Sequence, residues 1–87
     1  MKNIRIFLIE DNRILREGIQ AILNGQHDMK VVAASGGIHN MSLEMQRAKP
    51  NILLLDLGLR SQNGLRVVSS IAKEVPEVKV IGMGLIP

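Results

Sequence analysis

The run Asn51-Ile52-Leu53-Leu54-Leu55-Asp56 constrains the fold of this chain more than any other segment. Four successive apolar residues without polar alternation, opened by Asn and closed by Asp, suit a strand covered on both faces, as central parallel strands are when helices flank the sheet. The surrounding sequence repeats a strand-then-helix alternation. Ile4-Arg5-Ile6-Phe7-Leu8-Ile9 is a β-branched and aromatic-rich run stopped by Glu10-Asp11-Asn12. Leu15, Ile19, Ile22 and Leu23 then recur at helical spacing, with Asn12 as N-cap and Gly25 as stop, and predict a first helix facing the sheet. Val31-Val32-Ala33-Ala34 predicts a second strand. Gly36-Gly37 breaks the chain before a helical stretch from about Ile38 to Ala48, with Met41, Met45 and Ala48 as its buried face and Lys49-Pro50 as its end. After the loop Gly58 to Gly64, the spacing of Leu65, Val68, Ile71, Ala72 and Val75 predicts a third helix up to Pro76, and Val78-Lys79-Val80-Ile81 starts a fourth strand. The resulting βαβαβαβ order specifies an α/β domain with a parallel sheet, right-handed crossovers and helices on both faces.

At 87 residues and 46% apolar content this is one small domain with a thin core, burying about 60–65% of the surface its unfolded chain exposes. No cysteine is present, which removes disulfides, thiolate zinc sites and cysteine nucleophiles and points to a reducing, cytoplasmic setting. The apolar run near the start, Ile6 to Ile9, is too short for a signal peptide or a membrane span, so no membrane partner is expected. Eleven Lys and Arg against eight Asp and Glu give a net charge of +3, but the basic residues are scattered singly. With one Phe and no Tyr or Trp, base stacking has almost nothing to work with, and direct nucleic-acid binding by this segment is disfavoured.

The acids are arranged differently. Glu10, Asp11 and Asp56 fall at the C-terminal ends of the first and third predicted strands, the ends that line the ligand crevice of an open α/β sheet. In a strand order that sets those two side by side, the three carboxylates converge within reach of one hard cation, and an oxygen-only donor set suits Mg²⁺ or Mn²⁺. Outside this cluster 11 basic residues face 5 acidic ones, so the negative charge is concentrated where its mutual repulsion calls for an ion. The competing reading is a group of solvated loop acids and helix caps. A metal-supported carboxylate at a strand end can act as nucleophile toward a phosphoryl group. Asp56, ending the most buried strand, is the candidate, with the backbone carbonyl of Gly58 completing the shell.

Taken together, Ile-Arg-Ile-Phe-Leu-Ile-Glu10-Asp11-Asn12, Leu-Leu-Leu-Asp56-Leu-Gly-Leu and Asn63-Gly64-Leu65 resemble a response-regulator receiver domain over the whole chain. Leu-Arg-Glu-Gly-Ile at residues 15 to 19 and Asp56-Leu57-Gly58-Leu59 look most like the receivers that precede a helix-turn-helix domain of the LuxR/NarL type. The resemblance implies a flavodoxin-like doubly wound sheet of order 2-1-3-4, with residues 1–87 as one incomplete receiver lacking the fifth strand and last helices, on the order of 30 residues. It further implies a phosphoacceptor and not an enzyme: Asp56 would take phosphate from a sensor histidine kinase, and Glu10, Asp11, Asp56 and the Gly58 carbonyl would hold Mg²⁺. Output would be transcription regulation through a DNA-binding domain absent from this chain.

Three departures from the family pattern stand out. The fourth strand should end in Ser or Thr, and here that switch position is Gly84, without a hydroxyl. The family's Lys after a fifth strand falls beyond the chain. Arg60 stands where many relatives have Pro, and is either a phosphate neighbour or a solvated side chain. The chain stops at Gly84-Leu85-Ile86-Pro87 just as the fourth strand should hand over to a helix, so missing sequence or a partner is expected on that side, with a homodimer or other self-association through it.

Alternatives lack their parts. Haloacid-dehalogenase-like phosphatases and Toprim enzymes need an acid where Gly58 stands, and no phosphate-binding glycine loop, nucleophile elbow or zinc-protease motif occurs. His27 and His39 read as surface residues, and Met29, Met41, Met45 and Met83 as core fillers. Asn63-Gly64 reads as a turn, and Gly82 and Gly84 as weak pairing or close backbone approach. The rival from another functional class is an atypical receiver that binds partners or dimerises without phosphorylation as its switch.

Overall fold

In the computed structural model, residues 4–56 and 64–84 are described. They form β1 (Ile4–Ile9), α1 (Arg13–Asn24), β2 (Met29–Ser35), α2 (Met41–Ala48), β3 (Ile52–Asp56), α3 (Gly64–Glu74) and β4 (Lys79–Met83). The strands make one parallel sheet of order β2-β1-β3-β4. This is the expected α/β topology, with β1 and β3 side by side at its centre.

The both-faces-apolar reading of the central strands holds. Phe7, Ile9, Leu53 and Leu55 point to one face and pack with Met45, Ile71 and Val78, while Ile6, Leu8 and Val31 point to the other with Ile19, Leu23, Ile52 and Leu54 against them. The two layers follow from the period-2 alternation of each strand. Between Ile6 and Phe7 the pairing with β2 slips by one residue, so Val31 opposes Ile6 and Ala33 opposes Phe7. The extra residue, Val32, is a bulge that turns Val31 and Ala33 toward opposite faces.

Helix α1 starts where expected: Asn12 accepts a hydrogen bond from the Leu15 N–H at 2.9 Å, satisfying a donor of the first turn. Its orientation differs from the sequence expectation. Ile19 and Leu23 pack on the sheet, but Ile22 is 68% exposed and Leu15 39%. The partly buried stripe is turned from the expected one by roughly 65°, at about 100° per residue, and runs through Arg16, Ile19, Gln20 and Leu23. Arg16 occupies that stripe because its guanidinium bonds the end of β1, as described below.

Helix α2 begins at Met41, three residues later than the spacing suggested, because Asn40 takes a left-handed conformation (φ 66°). Ile38 still reaches the core from the preceding turn. The helix ends at Lys49, also left-handed (φ 50°), whose N–H bonds the Met45 carbonyl at 3.1 Å. The residue before a proline avoids the right-handed helical region, and Pro50 enforces that stop. The Arg5 side chain reaches across from β1 and donates to the Ala48 carbonyl and, at 3.1 Å, to the Lys49 carbonyl. In α3, Ile71 is buried but Ala72, expected in the same stripe, is exposed, since the contact line continues to Val75. His27 and His39 are exposed, and the four methionines pack in or against the core, as read from the sequence.

Beyond α1 the sheet is less covered. Ile81 on β4 is 48% exposed, on the same face as the partly buried Ile52, Leu54 and Met83. Among the described residues no helix is long and apolar enough to cross a membrane.

Candidate metal centre

The register sets the geometry. Ile9 pairs with Leu55 across β1 and β3, so the next residues, Glu10 and Asp56, come out level at the C-terminal edge, and Asp11 follows one position on. One carboxylate oxygen from each of the three lies within 4.8 Å of those of the other two. Glu10 is 1% exposed and Asp56 6%, whereas Asp11 is exposed. Sequence position alone separates Glu10 from Asp56 by most of the chain. Parallel pairing through a helical crossover removes that separation.

Glu10 is held on one side only. Its Oε2 accepts the Asn12 N–H at 3.1 Å, while its buried Oε1 has no hydrogen-bond partner. The neighbouring carboxylates of Asp11 and Asp56 accept and cannot donate to it unless a proton is held between them. Burial, the charge of Asp56 and the nearness of the Asp56 and Asp11 carboxyls therefore push the Glu10 pKa above its ordinary value, against the lowering effect of the Asn12 N–H. A buried, unpaired carboxylate oxygen among two further acids is the donor set a hard divalent cation fits.

The other sequence candidates fall as follows. Gly84 follows β4 directly, one residue beyond Met83, which pairs with Asp56. A Cβ built on Gly84 meets nothing within 4 Å. Gly58, Arg60 and Asn63 lie outside the described residues. A hollow of about 520 Å³ lined by Asp11, Asn12, Arg13 and Ile14 adjoins the acids. Arg13 there is turned along the helix to Glu17 at 2.9 Å. A larger hollow of about 590 Å³ opens between α2 and α3 over Met45, Pro50, Ile71 and Val78. It lies toward the N-terminal edge of the sheet, at the opposite end from the acids.

Two residues at the acid edge escaped the sequence reading as site components. Arg16 donates from Nη1 to the Glu10 carbonyl at 2.8 Å, and Gly36 lies against the same guanidinium. The available signal was a charged residue inside the apolar stripe of α1.

The profile of the response regulator receiver domain matches residues 6–85. The chain belongs to the response-regulator receiver family. The oxygen regulatory protein NreC of Staphylococcus aureus is 35% identical over 78 residues, covering 88% of this chain and 36% of NreC. The uncharacterized transcriptional regulatory protein YxjL of Bacillus subtilis is 28% identical over 78 residues, covering 90% of this chain and 36% of YxjL. The receiver thus spans about a third of the length of these relatives. Among solved structures, the non-phosphorylated receiver domain of the stress response regulator RcsB from Escherichia coli superposes with a TM-score of 0.86 at 17% identity, covering 98% of this chain and 67% of that one. A structure of RcsB in complex with DNA gives 0.85 at 19% identity, covering 99% and 47%. At these identities the likeness is one of fold, and it matches the doubly wound order found here.

Proposed function

We propose that this receiver is the phosphoacceptor of a two-component system, with Asp56 as the acceptor and Glu10, Asp11, Asp56 and the Gly58 carbonyl as ligands of Mg²⁺ or Mn²⁺. The single observation that carries the reading is the buried, unpartnered Glu10 Oε1 beside Asp56 and Asp11. In the reaction a carboxylate oxygen of Asp56 forms the new bond to phosphorus as the P–N bond of a kinase phosphohistidine breaks, and the electron pair leaves with the donor nitrogen. The divalent cation, when bound, supplies charge neutralisation at the phosphoryl oxygens. Glu10 and Asp11 would hold it, and the core around Leu55 keeps Asp56 in place. The chain is a substrate of its kinase, not an enzyme with turnover of its own.

The output in this reading is transcription regulation by a DNA-binding helix-turn-helix domain outside this chain, in the cytoplasm. NreC and YxjL, both named as regulators, and the DNA-bound RcsB support it. In this reading the chain also self-associates, and the exposed Ile81 on β4 supports a contact on that face. Light scattering that gives the monomer mass at every concentration overturns that part.

A second reading is favoured by Gly84, which offers no hydroxyl at the end of β4. There the chain is an atypical receiver that binds partners or dimerises without phosphorylation as its switch.

Intact-mass measurement after exposure to a small phosphodonor, with and without Mg²⁺, tests the first reading. A phosphoryl adduct that needs Mg²⁺ and is lost in Asp56→Asn supports it. A folded chain that takes neither metal nor phosphate overturns it and leaves the partner-binding reading.

A further inference from the structure

A charged side chain in the sheet-facing stripe of a small domain costs stability unless its position does something for the fold or the site. Arg16 holds the backbone on both sides of Asp11. Its Nη1 donates to the Glu10 carbonyl and its own N–H to the Asn12 carbonyl, each at 2.8 Å. Asp11 is exposed, so no packing directs its carboxylate; the path of residues 10–12 does. The third element of this arrangement is Gly36, just past the end of β2. A Cβ there would stand 3.0 Å from Arg16 Nη1 and 3.9 Å from its Cζ. The Glu10 N–H meanwhile bonds the Ser35 carbonyl at 3.0 Å, tying the end of β1 to the end of β2.

We propose that Arg16, seated against Gly36, is a positioning residue for the acid site: its guanidinium fixes the Glu10 carbonyl and through it the reach of Asp11 toward a divalent cation. The inference rests on the cation-binding reading of Glu10, Asp11 and Asp56. A hydrogen bond from an ionised donor is short and directional. Partners that orient ligands without touching the ion change metal affinity by about 10–100-fold when lost. Replacing Arg16 by Ala keeps the main-chain bond to Asn12 and removes only the guanidinium one. Replacing Gly36 by Ala pushes on the guanidinium without deleting it.

Mn²⁺ titration of the chain, with the free ion read by electron paramagnetic resonance, tests this, with metal-free thermal unfolding in parallel. The expected results are Mn²⁺ binding by the unaltered chain, lost in Asp56→Asn; about tenfold weaker binding in Arg16→Ala, partly recovered in Arg16→Lys; and binding on the order of threefold weaker in Gly36→Ala. In the Arg16→Ala background Gly36→Ala then has no further effect, because the clash is gone. A fall in thermal midpoint with unchanged Mn²⁺ affinity in Arg16→Ala makes Arg16 merely structural and overturns the proposal. An equal effect of Gly36→Ala with and without Arg16 also overturns it, and if Arg16→Ala fails to fold, unchanged Mn²⁺ affinity in Gly36→Ala alone overturns it. If the unaltered, folded chain does not bind Mn²⁺, or binds it equally well as Asp56→Asn, the cation reading itself fails and the positioning role with it.

Discussion

Glu10 and Asp56 stand level on neighbouring strands, each the residue that follows a buried pair, Ile9 and Leu55. Two acids are thereby brought out of water together at the edge of β1 and β3, and the buried Glu10 Oε1 is left there without a hydrogen-bond partner. Most of the expected behaviour of this receiver follows from that juxtaposition and from what surrounds it.

The raised pKa of Glu10 links stability to pH. Below its ordinary value both folded and unfolded chains hold the proton, and the favourable contribution is fully present. As pH rises toward the raised value, the unfolded chain ionises first and that contribution is lost. Metal-free thermal midpoints of the unaltered chain should therefore fall relative to Glu10→Gln as pH increases from the carboxylate range to neutrality. Near neutral pH the variant should be more stable by about 1 kcal/mol, or a midpoint about 4–8 °C higher. Mg²⁺ should restore the unaltered chain and not the variant. Parallel midpoint curves for the two proteins would show that Glu10 is not the linked group.

Gly84→Thr separates the two functional readings. Nothing lies within 4 Å of the new Cβ, so stability should change by no more than about 0.5 kcal/mol. If the missing hydroxyl weakens the switch, as the atypical reading holds, sedimentation should show stronger phosphodonor-dependent association in the variant than in the unaltered chain, whereas equal phosphodonor-dependent association in both favours phosphorylation as the switch. Association that ignores the phosphodonor in both proteins favours the atypical reading.

Arg5→Ala removes the side chain that bonds the Ala48 and Lys49 carbonyls at the end of α2. The expected cost is about 1–2 kcal/mol, seen as a lower denaturation midpoint, with Mg²⁺ affinity unchanged because the acids lie at the other edge of the sheet. A loss of Mg²⁺ affinity would mean that the two edges are coupled through β1.

Phe7→Ala empties the centre of the core that α2 and α3 cover, where Phe7 is fully buried. The expected loss is about 3–5 kcal/mol, a large part of the roughly 5–15 kcal/mol available to a domain. Unfolding followed by circular dichroism should lose its cooperative transition or shift it steeply to lower denaturant. A loss under about 1.5 kcal/mol would show that the neighbouring side chains collapse into the space.

Local pattern determined the elements. The apolar run 52–55, bounded by Asn51 and Asp56, suits a strand covered on both faces, Asn12 caps by local chemistry, and Lys49-Pro50 ends a helix because the residue before proline avoids the helical region. The three acids were legible because Glu10 and Asp56 each close an apolar run, with Asp11 next to Glu10, and a strand end in this topology is where ligands bind. Tertiary structure decided what depends on partners distant in sequence. Periodicity locates a helical stripe but not its rotation, which is why Ile22 lies exposed while Arg16 turns inward to the Glu10 carbonyl. The slip at Val32 arises from pairing with β1, and the room at Gly36 exists only because α1 lays Arg16 there. The missing hydrogen bond at Glu10 Oε1 is likewise a property of the assembled edge: spacing along the chain can bring acids to neighbouring strands, but only packing determines which of their oxygens find a donor.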